Sequence, residues 1–381
     1  MTYSPAKRLL SQRLPSSDKR RLAVLTGARQ VGKTTLARAA SSDLRYVNLD
    51  AVEDRAALAA LPAREWGATV GRAILDEAQK EPAVFEKLKF AYDAGDVDFT
   101  ALLGSAQIIL LQQVRETLAG RVLLYELWPL CLSELAASGD EPHASLFAAL
   151  VSSPRPVDVL KDTPSVLLAD REDGAVMAAR HLATWGGMPA LLHLAADERR
   201  DWLRSCHDTY LQRDLGDLVR LRDLAAFHRF QRLAALRSGT VLGYADLARD
   251  AGTSPATARN CLEYLRLSYQ AFLLQPFASS TMTGLVKAPK LFRADLGVVR
   301  YLAGSWGPAP GALFETLVVA EAVKLIRTLS LDAEPRHYRT RSGAEIDLLV
   351  ETPDGVLAFE AKARAGRASA DFRTMRHLAG A

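Results

Sequence analysis

The feature that most constrains the fold is a glycine-rich segment, Gly27 to Thr34, which matches the pattern G-x-x-x-x-G-K-[ST] in full. An apolar run, Leu22–Leu25, precedes it, and an alanine- and leucine-rich helical stretch, Thr35–Ala40, follows it. Glycines let backbone N–H groups wrap phosphate oxygens, and the helix N-terminus adds the positive end of its dipole. The segment therefore predicts a strand–loop–helix unit that binds a nucleoside triphosphate.

The side chains of this loop have predicted roles. Lys33 would reach the β and γ phosphates, and the Thr34 hydroxyl would ligate Mg²⁺, so ATP and Mg²⁺ are the expected cofactors. The alternative, a glycine-rich turn with a surface lysine, is disfavoured by the flanking strand and helix. The predicted ATP-binding residues are Gly27, Ala28, Arg29, Gln30, Val31, Gly32, Lys33, Thr34 and Thr35.

Two acidic residues follow a later apolar run, Ala73–Leu75. Asp76 and Glu77 would lie at the carboxyl edge of a parallel sheet, where α/β folds bind their ligands. Asp76 would hold the Mg²⁺ shell together with Thr34, and Glu77 would orient and polarise the attacking water. An Asp-Glu pair alone usually marks a helix N-terminus, but the glycine-rich loop favours the catalytic interpretation.

Apolar runs alternate with helical patterns up to about residue 135, which is typical of an α/β domain with a parallel sheet. The chain has 381 residues, enough for several cores, and an ordinary globular composition with 49% hydrophobic and 24% charged residues. The predicted strands are Leu22–Leu25, Tyr46–Leu49, Ala73–Leu75, Ala101–Leu103 and Val122–Tyr125.

Charge, cysteine content and hydropathy narrow the class of protein. A net charge of +4 permits a nucleic-acid partner without demanding one. Three scattered cysteines argue against a disulfide framework and fit a reducing compartment. No apolar run has the length of a signal peptide or a membrane span, so we expect a cytoplasmic protein with no membrane partner.

The chain resembles a widespread prokaryotic AAA+ ATPase family at Gly27–Leu36 and Ile74–Gln79. Members of that family carry a G-x-R-Q-x-G-K-T loop, an L-D-E-x-Q segment and a C-terminal region of unknown function. The similarity covers nearly the whole chain and continues at Leu103–Ser105, Leu118–Arg121, Trp185–Pro189, Tyr210–Asp214 and Lys287–Lys290 with Asp295.

The resemblance implies roles for two further residues. Ser105 would occupy the sensor strand between the P-loop strand and the acidic strand, where its hydroxyl could contact the attacking water or the γ-phosphate. The alternative is a serine that caps the next segment. Arg121 would stabilise charge in cis or as a finger into a neighbouring subunit, unless it is a surface arginine. Because AAA+ sites usually form between subunits, we expect a homo-oligomer.

A helix, a tight turn, a second helix and a strand are predicted at Tyr244–Ala251, Gly252-Thr253, Ser254–Leu267 and Tyr269–Leu274. This order is the signature of a winged helix-turn-helix, with Ser254 as N-cap and Pro255 at the first helical position. The alternative is a winged helix used for packing or oligomerisation. The side chains that would face outward from the second helix are Thr257, Arg259, Asn260 and Glu263, and the first three are the candidates for DNA contact.

A hairpin is predicted near the C-terminus, with strands at Arg341–Val350 and Val356–Lys362 around the turn Thr352–Gly355. If the numbers of facing residues sum to 707, Asp347 faces Glu360 and Glu345 faces Lys362. The apolar residues then share the other face: Ile346, Leu348 and Val350 opposite Ala361, Phe359 and Leu357. A bulged turn would shift this sum to 708, which hydrophobic matching disfavours.

Facing carboxylates repel, and a divalent cation would relieve the repulsion, so Asp347 and Glu360 are a candidate second metal site. The hairpin resembles the PD-(D/E)xK nuclease fold, in which acids hold Mg²⁺ and a lysine, here Lys362, helps to activate water. Glu315 on the preceding helix would supply a further acid. The alternative is an exposed hairpin with mixed charges, or a nuclease-like fold kept for binding alone.

We therefore predict an α/β protein with an AAA+ core at 1–135, a helical lid at 136–230, a winged helix-turn-helix at 231–303 and a PD-(D/E)xK-like module at 304–381. The first functional hypothesis is an ATPase that remodels double-stranded or branched DNA, forked or four-way, or drives branch migration. The second is an ATP-dependent switch that binds a protein partner in a defence or toxin–antitoxin setting. The third is an ATP-regulated, metal-dependent nuclease.

Overall fold

The chain divides into two units, which are described separately below. Unit 1 comprises residues 1–128 and 209–220, and unit 2 comprises residues 129–208 and 221–381. The four predicted regions form a finer division, which stays a prediction. The computed structural model describes residues 6–104, 107–137, 141–142, 145–163, 170–218, 224–277, 286–308, 310–364 and 372–379.

Unit 1 is built on a parallel sheet with the strand order β2-β3-β4-β1-β5. All five strands predicted from apolar runs are confirmed. The elements are β1 (Arg21–Gly27), α1 (Lys33–Ala40), β2 (Arg45–Asn48), α2 (Val52–Ala60), α3 (Trp66–Thr69), β3 (Ala73–Asp76), α4 (Ala83–Ala94), β4 (Phe99–Leu103), α5 (Gln107–Thr117) and β5 (Val122–Leu127).

The core of unit 1 lies between this sheet and its helices. Strands β1, β3 and β4 are buried on both faces, which explains why their sequences are continuous apolar runs rather than alternating ones. Leu22 and Leu75 of the sheet belong to one buried cluster with Trp66, Phe85 and Leu88 from the helical side. Because the strands are parallel, their carboxyl ends meet at one edge, where the glycine-rich loop and the acidic pair come together.

Unit 2 contains mostly helices and a second sheet. Among the described residues, no helix combines the length and the apolar character that crossing a membrane requires. The elements are α6 (Leu132–Ala136), α7 (Leu146–Ser152), α8 (Pro156–Asp162), α9 (Asp170–Trp185), α10 (Ala196–Leu218, which continues into unit 1), α11 (Leu224–Leu236), β6 (Thr240–Val241), α12 (Tyr244–Ala251), α13 (Pro255–Leu267), β7 (Ala271–Pro276), β8 (Lys290–Arg293), α14 (Leu296–Ala303), α15 (Gly311–Leu329), β9 (Glu334–Arg339), β10 (Glu345–Thr352), β11 (Gly355–Phe359) and α16 (Arg373–Ala379).

Helices α12 and α13 and strand β7 follow the predicted helix–turn–helix–strand order. Gly252 ends α12 in the left-handed region at φ 65°, and the Ser254 hydroxyl caps α13 by accepting from the Thr257 N–H at 3.1 Å. The strand begins at Ala271 rather than at the predicted Tyr269, because Tyr269 has φ 59° and lies in the turn. These elements are confirmed, while their assignment as a winged helix stays a prediction.

The second sheet crosses the predicted boundary between residues 303 and 304. Its strand order is β11-β10-β9-β7-β8-β6, and β7 pairs in parallel with β9 through Gln275 and Arg336. Strands β7 and β8, which follow the predicted helix-turn-helix, and the strands of the C-terminal hairpin therefore belong to one continuous sheet. A separate C-terminal module was predicted instead. The cause of the difference is β9, which was not predicted and which joins the two halves.

The C-terminal hairpin has the predicted register, with facing residues such as Leu348 and Phe359 summing to 707. Two details differ from the prediction. Strand β11 ends at Phe359, so Glu360 and Lys362 lie beyond the paired residues. A register shift against β9 between Ile346 and Leu349 places Ile346 in a different apolar cluster from Leu348, so the prediction of one shared face was wrong for Ile346.

Two backbone segments of unit 2 dock closely at Gly297, the second residue of α14. A Cβ at this position would lie 2.6 Å from the Trp185 carbonyl carbon and overlap its oxygen. Asp295 ties the same two segments together, since its carboxylate accepts from the Val298 N–H at 3.1 Å and from the Gly187 N–H at 2.7 Å. Glycine is therefore required at 297 for close approach.

We expect Gly297→Ala to destabilise unit 2 by about 2 kcal/mol, because the added methyl group must displace one of the two segments. Denaturant unfolding followed by tryptophan fluorescence measures this change, since the Trp185 ring lies 5.1 Å from the Trp306 ring. Gly307→Ala is the control, because a Cβ there meets nothing within 4 Å. Equal stabilities of the two variants would contradict the docking.

Candidate nucleotide-binding site

The glycine-rich loop connects β1 to α1 and turns sharply. Gln30 and Gly32 have φ angles of 62° and 94°, in the left-handed region, and Gly32 is the N-cap of α1. A Cβ at Gly27, where φ is 149°, would lie 3.0 Å from the Leu127 carbonyl carbon. Glycine is thus required at both ends of the loop. Gly27 permits the close approach to β5, and Gly32 permits the left-handed backbone conformation.

Lys33 and the first turn of α1 form a concave set of hydrogen-bond donors. The buried Lys33 ammonium donates to the carbonyls of Gly27 at 2.9 Å and Ala28 at 2.8 Å, so its side chain folds back over the loop. The N–H groups of the first helical turn have no acceptor within the helix. Ammonium and amide donors converging on one loop fit a phosphate group.

Thr34 and Asp76 meet at the carboxyl edge of the sheet. The Thr34 hydroxyl donates to Asp76 Oδ2 at 2.6 Å, and the Tyr46 hydroxyl donates to the same oxygen at 2.9 Å. Asp76 Oδ1 accepts from the Glu77 N–H at 3.0 Å. Hydroxyl and carboxylate oxygens are hard ligands, so Thr34 and Asp76 fit the shared Mg²⁺ shell predicted for them.

Tyr46 reaches Asp76 because β2 and β3 run in parallel, with Asn48 paired to Asp76. Burial, and then the hydrogen bond to the Asp76 carboxylate, raise the pKa of Tyr46 above its usual value. The phenol therefore stays protonated and donates a hydrogen bond to Asp76. The sequence analysis missed this contact, although Tyr46 lies in the predicted second strand.

Glu77 follows β3 in the left-handed region at φ 53°, an uncommon conformation for glutamate. Its Oε2 accepts from Gln79 Nε2 at 2.5 Å, and Gln79 is almost fully buried. The other amide atom, Gln79 Oε1, lies beside Gly104, which follows β4, so a Cβ at Gly104 would overlap it. Gln79 therefore holds the predicted water-orienting carboxylate between β3 and β4, a role that the L-D-E-x-Q spacing could have indicated.

Arg8 braces the glycine-rich loop from the N-terminal segment. Arg8 as a residue is 7% exposed, and its guanidinium donates to the carbonyls of Val31 at 2.7 Å and Trp128 at 2.6 Å. This contact joins the loop to the residue after β5. No spacing rule links Arg8 to the loop, so the sequence analysis did not identify it.

Arg121 lies at the opposite edge of the sheet from the loop. It precedes β5, and Val122 pairs with Leu22 while Leu127 pairs with Gly27, so about 17 Å of strand separates Arg121 from the loop. Its guanidinium binds both carboxylate oxygens of Asp93, at 2.7 and 2.8 Å. The predicted role in cis is therefore wrong, because the parallel register places Arg121 at the wrong end. The role in trans stays a prediction.

The remaining predicted residues are scattered. Ser105 lies outside the described residues, although β4 does lie between β1 and β3 as expected for the sensor strand. Thr35 is exposed on α1. On α13, Arg259 is exposed and its guanidinium lies 5.0 Å from the Tyr244 ring, and Asn260 is also exposed. The Thr257 hydroxyl is hydrogen-bonded to Ser254 at 2.9 Å.

The acids of the C-terminal region group differently from the prediction. Carboxylate oxygens of Glu315, Glu345 and Asp347 lie within 4.8 Å of one another. Glu360 is not part of this group; its carboxylate contacts Lys362, which lies 3.7 Å from Asp347. The structure thus groups Asp347 with Glu315 and Glu345, while the metal pair of Asp347 and Glu360 stays a prediction. Because β11 ends at Phe359, the chain no longer follows the ladder that would place Glu360 opposite Asp347.

Residues 19–136 match the family model of the AAA domain. This part of the chain is therefore similar to an AAA domain. Its five-stranded parallel sheet, with the glycine-rich loop at the carboxyl end of β1, agrees with this assignment. Residues 178–307 and 310–381 of the chain match two domains of unknown function, DUF8612 and DUF4143.

The chain is also similar to several individual proteins. An uncharacterized protein of Mycobacterium tuberculosis is 28% identical over 350 residues, which are 89% of this chain and 69% of that protein. A Walker-type ATPase of Pyrococcus abyssi is 16% identical, with 79% of this chain and 99% of that one covered and a TM-score of 0.48. The Aeropyrum pernix ORC1 protein, solved in complex with DNA, is 15% identical, with 80% and 94% covered and a TM-score of 0.29.

We expect Gln79→Ala to lower the rate of ATP hydrolysis by the AAA-type domain about tenfold while leaving the Kd for Mg-ATP within about twofold, because only Glu77 loses its support. Steady-state turnover and equilibrium binding of a fluorescent ATP analogue separate the two effects. Gln112→Ala is the matched control, since Gln112 also donates to a glutamate, Glu116 at 2.9 Å, but at the surface. A parallel loss of binding and turnover in Gln79→Ala would argue against the positioning role.

Proposed function

We propose that this chain is an AAA-type ATPase that binds Mg-ATP between the glycine-rich loop and the acidic edge of β3 and couples hydrolysis to an action on double-stranded or branched DNA. The observation that carries the ATPase part is the hydrogen bond from Thr34 to Asp76. It joins the residue after the loop lysine to the acid at the end of β3, which are the two protein ligands that a P-loop enzyme needs for Mg²⁺.

Each residue of the site then has a chemical task. Lys33 would exchange its two carbonyl acceptors for phosphate oxygens and offset the charge that develops on them. Thr34 and Asp76 would hold Mg²⁺, which supplies further charge neutralisation when bound. Glu77, positioned by Gln79, would orient a water molecule and accept its proton.

Helices α12 and α13 support the DNA part of the proposal. They follow the order of elements expected for a helix-turn-helix. The exposed residues Arg259 and Asn260 lie in the first half of the second helix, which is the element that enters the major groove in such motifs. Arginine and asparagine are also side chains that read base edges by paired hydrogen bonds. The net charge of +4 adds a mild attraction to phosphate.

The second candidate is a nucleotide-dependent switch that binds a protein partner. It is favoured by the ion pairs on the same two helices. Arg249 binds Asp246 at 2.8 Å and Arg266 binds Glu263 at 2.7 Å, so both arginines already have acidic partners. An arginine that is paired with an acid contributes less to phosphate binding, so Arg259 would supply most of the attraction of α13 for phosphate.

A separate proposal concerns Arg121 and the homo-oligomer expected for this domain. Because Arg121 lies at the edge of the sheet away from its own loop, we propose that it acts on the site of another subunit. Its exposed pair with Asp93 would then open when the subunits meet. Pairing with Asp93 holds the pKa of Arg121 above its usual value, so the side chain is charged in either arrangement.

For the DNA proposal, we expect linear, forked or four-way DNA to stimulate ATP hydrolysis, and Arg259→Ala to weaken this stimulation and reduce the salt dependence of DNA binding by about one ion. ATPase assays with a DNA panel and salt titrations of DNA affinity measure both effects. Arg266→Ala is the control on the same helix, since Arg266 is paired with Glu263.

Lys33→Ala should abolish turnover on every DNA, and unchanged turnover in that variant would refute the nucleotide site. Lys19→Ala, in the exposed flank before β1, should behave as the unaltered protein does. If hydrolysis persists but no DNA of any shape binds at low salt, the DNA proposal fails and the protein-partner switch replaces it.

For Arg121, we expect Arg121→Ala and Glu77→Gln to be inactive alone, and an equimolar mixture to recover about a quarter of the original turnover. This is the statistical share of subunit boundaries that combine an intact Glu77 with an intact Arg121. Turnover before and after mixing measures it, with Arg115→Ala, exposed on α5, as a control that stays active. No recovery in a mixture that forms oligomers would rule out the role in trans.

A further inference from the structure

We infer that the ammonium of Lys290 is the resident cation of the C-terminal carboxylate cluster, and that it keeps a divalent metal ion out. The C-terminal carboxylate cluster is defined here as Glu315, Glu345 and Asp347. The inference concerns a site in unit 2 and does not rest on ATP hydrolysis. It bears on the third functional hypothesis, because a metal-dependent nuclease would need an ion among these acids.

Three elements bring the cluster together around Lys290. Glu315 comes from the second turn of α15, Glu345 and Asp347 come from β10, and Lys290 is the first residue of β8. Lys290 Nζ lies 2.8 Å from Glu315 Oε1 and is in still closer contact with Glu345 Oε1. The ammonium therefore bridges two of the three carboxylates.

Lys290 cannot easily leave this position. Its side chain is 1% exposed, so withdrawal from the cluster would leave a buried positive charge without its acids, which is strongly unfavourable. Its backbone is fixed as well, since β8 pairs with β7 and β6 on both sides, with Lys290 opposite Leu274 and Val241. A lysine held in this way is a built-in part of the cluster rather than a mobile surface residue.

A metal ion and this ammonium would compete for the same oxygens. An ion bound to Glu315 and Glu345 at about 2.2 Å would lie no more than about 5 Å from Lys290 Nζ, because the ammonium is itself in contact with both carboxylates. At that separation a divalent ion and an ammonium repel, and burial of the Lys290 side chain limits the screening of this repulsion by water. Metal binding is thus opposed by the lysine already present.

Two further basic groups lie beside the cluster. Arg339 lies 3.4 Å from Glu345 Oε2, and Lys362 lies 3.7 Å from Asp347 Oδ2, although Lys362 is in closer contact with Glu360. Asp347 Oδ2 also accepts from the Ala361 N–H at 2.8 Å. Each acid of the cluster therefore has a cationic neighbour, which weakens its attraction for a further cation.

The experiment is a Mn²⁺ titration of the full chain, followed by electron paramagnetic resonance. All variants carry Asp76→Asn, so that the nucleotide site contributes little to the signal. We expect the parent protein to show no Mn²⁺ site tighter than millimolar, and Lys290→Met to gain one at least about tenfold tighter, since three acids lose their central cation. Adding Asp347→Asn to Lys290→Met should remove the new site.

Lys324→Met is the matched control. Lys324 is also a buried lysine paired with a glutamate, Glu321 at 2.8 Å, but outside the cluster, so its loss should create no Mn²⁺ site. A micromolar Mn²⁺ site in the parent protein that disappears in Glu345→Gln would overturn the inference. So would a folded Lys290→Met protein that gains no site. Should Lys290→Met fail to fold, the parent titration decides: a micromolar site refutes the inference, and its absence supports it.

Discussion

The parallel registers of β1 with β4 and of β4 with the acidic strand β3 are the constraint on which the nucleotide site depends. It brings the end of β3 to the edge where the glycine-rich loop turns into α1, so that Thr34 and Asp76 share a hydrogen bond of 2.6 Å. The neighbouring strand β2 adds Tyr46 to the same carboxylate at 2.9 Å. A shift of one residue in either pairing would turn Asp76 to the other face of the sheet and separate these groups. The site is therefore a property of the whole sheet rather than of the loop alone.

The sequence predicted those features that follow from local rules. The five strands of unit 1 are apolar runs, the loop is a complete motif, and α13 begins at a serine cap followed by proline. The hairpin register followed from matching Leu348 with Phe359 across a strong turn. In each case the decisive residues lie close together along the chain, so propensity, capping and alternation were sufficient.

The features that could not be predicted from the sequence depend on contacts between residues that are distant along the chain. Arg8 supports the loop through two backbone carbonyls, and Lys290 reaches Glu315 and Glu345 from another strand; neither relation has a spacing that a sequence alone would show. Strand β9 was overlooked because its residues do not alternate, and with it the continuity of the second sheet. The shared face predicted for Ile346 failed for a related reason, since a register shift depends on the partner strand.

Two buried lysines differ in their nearest acceptors, and this difference supports both the proposed nucleotide site and the inferred exclusion of a metal ion from the C-terminal cluster. Lys33 donates to the neutral carbonyls of Gly27 and Ala28, and exchanging these acceptors for charged phosphate oxygens strengthens its hydrogen bonds. Lys290 already contacts two carboxylates, so no anion could improve its position and any cation would have to displace it. The same kind of side chain would therefore favour a triphosphate at the glycine-rich loop and oppose a metal ion in the C-terminal cluster. The difference lies in the charge of its nearest acceptors.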